Sequence, residues 1–328
     1  MTKKWSSRLT FFAFVVLMVG LGSNDSLRGI FSTIFQEHFS LTTTQLGLIV
    51  TASYIGNLVF LLVGGNLSTR FSKKRVLQVL ILIWMAALAL FAFTSNYTVL
   101  LIGMALALGS STLLNTTMNL ITPLLFATAP GFFVNFLFFT QEIGTSGSQY
   151  ILGSHADGFA FWQHTNLVLL ILGAVAFVLL LFCNVPEEAA APADAPAQKG
   201  GYDWRIIVPY VLVFGFYFIA EHGVMNWMVA YGVDGLGLPQ ASAAKYLSVF
   251  FGGMMIGRLC LSPLVDKLGA LKSLAAFGGV SCVLYLIGSL GGAVTMPVWA
   301  ISGLSFSILY PTLVMSIRLY FPAQQVSG

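Results

Sequence analysis

The chain has 328 residues, of which 57% are hydrophobic and 8% charged, with 28 phenylalanines and a formal net charge of +4. Soluble domains carry about 25% charged residues, so there are too few charges here to coat a surface facing water, and lipid must cover most of the chain. The basic residues form no patch for nucleic acid, and no phosphate loop, nucleophile elbow or metal-ligand cluster occurs, so a soluble enzyme is excluded and no cofactor is expected.

A helix needs about 20 apolar residues to cross the hydrocarbon layer. Ten such runs follow one another, at residues 9–37, 43–66, 75–94, 97–127, 131–154, 162–184, 204–232, 241–263, 271–292 and 295–320. Continuous runs of this length exclude the alternating pattern of a membrane β-barrel. The first could pass for a signal peptide behind Lys3, Lys4 and Arg8, but the later spans favour an uncleaved helix. Short breaks carry the expected punctuation, such as Thr94-Ser95-Asn96, Ala129-Pro130-Gly131 and Gly291-Gly292. With the N-terminus in the cytoplasm, twelve of the fifteen Lys and Arg residues fall on the cytoplasmic side and only Lys245 falls outside, while Arg28 and Arg258 lie within or at the ends of helices. That bias sets the expected orientation.

The stretch VPEEAAAPADAPAQKGGYD (185–203) offers neither a helical face nor a core and reads as a cytoplasmic linker. It divides the chain into an N-terminal half at 1–184 with six spans and a C-terminal half at 204–328 with four. A half built of three-helix repeats needs six, so two spans are expected to be missing beyond FPAQQVSG. Cys183, Cys260 and Cys282 lie in apolar surroundings without a CxxC pattern and read as packing. The small-residue runs GSS at 109–111 and FGGMMIG at 251–257 read as close helix contacts.

Several segments carry a resemblance: Asn24-Asp25 followed by TIFQEHFSLTTTQLGLIVTASYIGN, the loop GGNLSTRFSKKRVL, YFIAEHGVMNW with Tyr217, Glu221 and Trp227, IGRLCLSPLVDKLGALKSL, and Tyr310-Pro311-Thr312. In these the chain resembles the major facilitator superfamily, and within it the fucose permease-like sugar:proton symporters. The resemblance implies an all-α membrane bundle in two pseudo-symmetric halves, working as a monomer in the bacterial inner membrane. It also implies a gating latch made by Arg70, Lys73 and Lys74 in the first half and Arg258, Asp266 and Lys267 in the second, although Thr69 and Ser72 replace the Asp and Gly usual in the loop signature. For each basic residue alone, retention on the cytoplasmic side is the simpler account.

Ionisable groups inside a membrane cost several kcal/mol and are functional by default. Five stand out: Asp25, Arg28, Glu142, Glu221 and His222, the last without an evident role. Asp25 occupies the place of the family's protonatable acid and is the expected proton carrier, with Arg28 and Glu221 as coupling partners. A fixed salt bridge to Arg28, three residues on and on nearly the same face, is the competing reading. The family's second acid falls at NTTMN (115–119), where Asn115 can bond a sugar hydroxyl but cannot carry a proton. Asn24, Asn57, Asn115, Asn119, Asn135, Gln141 and Glu142 are the candidate substrate ligands, with packing an equal reading for Glu142. Trp227 is either a sugar-stacking ring or an interfacial anchor.

These readings imply import of a small polar solute, expected to be a sugar, by proton symport with alternating access. A proton-coupled exporter of drugs or metabolites, and a membrane sensor or truncated non-transporting product, are the alternatives. Helix five lacks the Pro of the usual exporter signature, which favours import.

Overall fold

The computed structural model describes residues 3–126, 130–186 and 204–320. Among them the fold is all helical, and the chain divides into two compact units, Met1–Glu188 and Ala189–Gly328. The first holds α1 (Lys3–Ile30), α2 (Ser32–His38), α3 (Thr43–Arg70), α4 (Lys73–Phe93), α5 (Tyr97–Leu125), α6 (Pro130–Ile151) and α7 (Phe159–Phe182). The second holds α8 (Trp204–Ala230), α9 (Gln240–Cys260), α10 (Ser262–Leu268), α11 (Ala270–Leu290), α12 (Met296–Phe306) and α13 (Leu309–Tyr320). The linker read at 185–203 lies outside the described residues from 187 onwards.

Local chemistry sets the helix boundaries. Ser72 accepts the Arg75 amide at the start of α4, and Asn96 accepts those of Thr98 and Val99 at the start of α5, satisfying donors that a first turn leaves open. Two of the expected runs are divided. The first bends at Phe31, between α1 and α2. The last breaks at Ser307–Ile308, because Pro311 has no amide to offer the Ser307 carbonyl, while the Ser305 and Ser307 hydroxyls bond the Ser302 and Leu304 carbonyls. At the end of α8, Tyr231–Gly235 winds as a π turn, closed by the Leu236 amide on the Tyr231 carbonyl.

Among the described residues, eight helical segments are long and apolar enough to cross a membrane. Of the ten expected spans, α6 and α9 are not among these eight. Their Gln, Glu, Ser, Lys, Arg and Gly residues lower their hydropathy, and these helices are occupied with neighbours instead, α6 with α1 and α9 with α12. Helix α7 shows the opposite pattern, with buried Trp162, Asn166, Leu169, Gly173, Ala176 and Leu180 on one face. Exposed Val168, Ile171, Val175 and Val178 occupy the other, as expected for a helix packed on one side and apolar all round.

In the first unit α3 and α4 both pack on α5, while α1 packs along α6 and α7. In the second, α9 and α11 both pack on α12, repeating the relation of α3 and α4 to α5. One of the close crossings in the first unit joins α1 to α6. A Cβ on Gly22 would collide with the Gln141 carbonyl, and one on Gly144 with the Val19 carbonyl. Hydroxyls lock the crossing from both sides. Ser23 shares its hydroxyl proton between the Val19 carbonyl of its own helix at 2.9 Å and the Gly144 carbonyl at 3.3 Å, and Thr145 shares its own between the Gln141 and Gly22 carbonyls, both at 3.2 Å. Small residues that let backbones approach are the main device for joining helices in lipid.

Gly144→Leu should therefore cost about 3 kcal/mol or more, since backbone rather than a flexible side chain blocks the new atoms. Gly147→Ala, with open space around it, should leave the melting temperature of the detergent-solubilised protein nearly unchanged.

Candidate functional site

The α1–α6 crossing places a polar patch within apolar surroundings. Asn24 and Arg28 are buried, each 4% exposed, and Asp25 is half-buried between them. The carboxylate of Asp25 accepts the Ser111 hydroxyl from α5, at 3.3 Å to Oδ1 and 3.5 Å to Oδ2. The Arg28 guanidinium lies 6.0 Å from the ring centre of Tyr54 on α3, within cation–π range.

Ser111, Asn115 and Asn119 are spaced four residues apart and so share one face of α5. Asn115 Nδ2 donates to Gln141 Oε1 on α6 at 2.7 Å, and Asn119 Nδ2 donates to Asn115 Oδ1 at 2.6 Å. The result is a stripe running from the Asp25 carboxylate through a hydroxyl to three linked amides. Asn119 Oδ1 and, on α3, Asn57 Oδ1 are buried acceptors with no hydrogen-bond donor among the described residues. Buried polar atoms are seldom left so, and each calls for a ligand or a function. Glu142 is 9% exposed on α6, next to Gln141. The side chain of Asn135 lies outside the described residues.

The second unit holds a second ionisable cluster. Glu221 on α8 has the Arg258 charge from α9 and the Tyr217 hydroxyl as its polar neighbours, and Tyr310 on α13 lies in the field of both charges. Around them Tyr217 stacks on Phe306 at 5.3 Å and on Tyr310 at 5.9 Å, and Phe218 meets Tyr310 at 5.6 Å. The rings beside Glu221 are thus Tyr217, Phe218 and Tyr310, with half-buried Trp227 six residues along the helix. His222 Nδ1 meets the Phe218 carbonyl at 3.0 Å.

The expected latch residues fall on several helices within each unit. Arg258 sits in the last turn of α9, where its charge acts on Glu221 of α8. Lys74, in the first turn of α4, donates to the Leu181 carbonyl at 3.0 Å and the Cys183 carbonyl at 2.7 Å, capping α7 of the same unit. Lys73 opens α4, and Lys267 is exposed in the last turn of α10. The side chains of Arg70 and Asp266 lie outside the described residues. Ser111 falls in a run that reads as packing alone; its four-residue spacing from Asn115 and Asn119 is the signal that could have revealed it.

The fold and these intramembrane clusters define a multi-pass membrane protein built around buried polar groups. The chain belongs to the Major Facilitator Superfamily, whose profile matches residues 10–328, and is thus a member of a family of transporters, not enzymes. It is 24% identical to the L-fucose-proton symporter of Escherichia coli K12, over 88% of this chain and 75% of that protein. It is 27% identical to the glucose/galactose transporter of Brucella abortus, over 86% and 73%. It is also 24% identical to the cis,cis-muconate transport protein of Acinetobacter baylyi, over 84% and 70%. Among solved structures it matches FucP in its outward conformation, with a TM-score of 0.66 at 20% identity over 94% of this chain and 84% of that one. The inward-open xylose transporter XylE of E. coli gives a TM-score of 0.73 at 14% identity over 95% and 83%.

The tie between α4 and α7 can be measured at its own cysteine. Burial pushes the Cys183 thiol up, and the Thr10 hydroxyl and Lys74 ammonium pull it back. Maleimide labelling of Cys183 should be slow at neutral pH, where little thiolate is present, and should rise with pH. Lys74→Met removes a charge that favours the thiolate and should slow labelling further at fixed pH. It should also cost about 1 kcal/mol through the lost cap.

Proposed function

We propose that the chain imports a small polar solute, a sugar or sugar-like compound, together with a proton, by alternating access of its two units. It works as a monomer in the bacterial cytoplasmic membrane with its N-terminus in the cytoplasm. The observation that carries this reading is the patch on α1, α3, α5 and α6. There a carboxylate held by a hydroxyl sits beside linked amides, and buried amide oxygens await donors. A polyhydroxylated solute supplies such donors.

In this reading Asp25 takes the proton, with Arg28 as its conditional partner and Glu221 as the acid of the second unit. Asn24, Asn57, Asn115, Asn119, Asn135, Gln141 and Glu142 meet the solute, and Trp227 stacks on it. Arg70, Lys73, Lys74, Arg258, Asp266 and Lys267 control closure. The names of the fucose-proton and glucose/galactose relatives support a sugar.

Asp25→Asn keeps the shape and the hydrogen-bonding capacity while removing the titratable group. In proteoliposomes it should abolish accumulation driven by a pH gradient, a drop of about 100-fold, and spare counterflow of preloaded solute. Gradient-driven accumulation that survives in Asp25→Asn would remove Asp25 from the proton path.

A further inference from the structure

We infer that Ser111 is a positioning residue of the proton site: its hydroxyl holds the Asp25 carboxyl in both protonation states by reversing one hydrogen bond, and so helps set the pH at which the proton leaves. This rests on Asp25 as the proton carrier proposed above and names what regulates that same site.

A hydroxyl on a helix in apolar surroundings ordinarily bonds a carbonyl one turn back on its own helix. On α5, Ser110 does so with the Leu106 and Ala107 carbonyls, Thr116 with that of Thr112, Thr117 with that of Leu113 and Thr122 with that of Met118. Ser111 is 1% exposed and turns the other way, to the carboxylate on α1. A bond that departs from the local default has its cause outside the helix, and Asp25 supplies it. At 3.3 Å from Oδ1 and 3.5 Å from Oδ2, the hydroxyl lies between the two oxygens. Either oxygen can therefore take the proton without displacing it.

A hydroxyl both donates and accepts, which neither an ammonium nor a guanidinium does. While Asp25 is ionised, Ser111 donates to it. Once Asp25 is protonated, its O–H donates to Ser111 Oγ, and the Ser111 hydrogen swings to the Ala107 carbonyl four residues back. That is the kind of bond its neighbours on α5 already make. No helix moves, and the hydroxyl is satisfied in each state. The two states are unequal, because a bond to an ionised acceptor is the stronger kind. Ser111 thus supports the ionised form and favours release of the proton.

The helices packed on α1 are α2, α5, α6 and α7. Their ionisable residues are Glu37 and His38, Tyr97, Glu142 and Tyr150, and His164. Glu37, His38, Tyr150 and His164 are exposed, and Tyr97 donates to the Gln45 carbonyl. Arg28 on α1 and Glu142 on α6 are buried, and Tyr54 of α3 lies beside the Arg28 guanidinium. All of these stay in place when a serine on α5 is replaced, so a difference between serine variants belongs to the hydroxyl.

Infrared difference spectroscopy across a pH titration tests this on the purified full chain, unmodified and as Asp25→Asn, Ser111→Ala and Ser110→Ala. The carboxylic-acid band that Asp25→Asn removes reports on Asp25. In Ser111→Ala we expect that band to move to higher frequency, as for a carboxyl with one hydrogen bond fewer. Without the donor the ionised form loses support and the protonated form persists to higher pH. The pH at which half the band is lost should rise by about one unit, the worth of a hydrogen bond to a charged group. Ser110→Ala removes an equally buried hydroxyl from the adjacent position and should change neither. Alanine favours the helix; if Ser111→Ala is nevertheless not monodisperse on size exclusion, Ser111→Cys, close in size and a weak donor, takes its place with the same expected shifts. A band and midpoint in the Ser111 variant that match the unmodified chain, or equal displacement in Ser110→Ala, would overturn this inference and leave Asp25 as the proton carrier. The absence of any Asp25-dependent band that titrates between mildly acidic and mildly alkaline pH would overturn both.

Discussion

Much of the first unit depends on a contact between two backbones. Where α1 crosses α6, hydrogen atoms at Gly22 and Gly144 let each helix lie against the other's carbonyls, and Ser23 and Thr145 bond across the gap. The distance and register fixed at this crossing determine which polar groups meet. One turn along α1, Asp25 comes within reach of Ser111, and on α6 Gln141 comes within reach of Asn115. A side chain at either glycine would separate the helices that bear the acid and the amide while leaving both residues in the sequence. The polar patch is thus a product of helix packing, and lipid supplies no hydrophobic force to substitute for that packing.

The two units answer buried charge differently. In the first, Asp25 leans on a neutral hydroxyl from another helix, which can stay in place whether the carboxyl is ionised or not. In the second, Glu221 has for neighbour a guanidinium from another helix, set among the rings of Tyr217, Phe218 and Tyr310. Glu221 and Arg258 are each half-buried, and their opposite charges act on one another across α8 and α9.

What the sequence made legible was whatever depends on one helix at a time. Low charge and apolar runs announced membrane helices, and Asp25, Arg28 and Glu221 stood out because few charges are tolerated there. The cap at Asn96 sits where the break Thr94-Ser95-Asn96 placed it, whereas the cap at Ser72 was not read from the sequence. What was not legible depends on pairs of helices. Polar residues lowered the hydropathy of α6 and α9, because these helices spend their small and polar side chains on neighbours. Ser111 looked like packing until α1 was laid beside it. Arg258 sits only eight residues before Asp266, and the acid its charge acts on, Glu221, lies on another helix. The break at Ser307–Ile308 was in principle readable from Pro311, but a continuous apolar run concealed it.

The π turn at Tyr231–Gly235 also bears on how α8 hands the chain on to α9. A π turn holds one residue more than the α-helical turn it replaces, and one residue is about 100° of rotation. The chain beyond it, entering α9 through Leu236, Gly237 and Leu238, is out of phase with the face that α8 carries through Glu221. Such a turn shifts the phase of the chain after it without rotating the helix before it. Here Tyr231 is committed by its bond to the Ser289 carbonyl and its contact with Trp299. The change of phase is thus taken up within one turn, and the face of α8 that carries Glu221 keeps its heading.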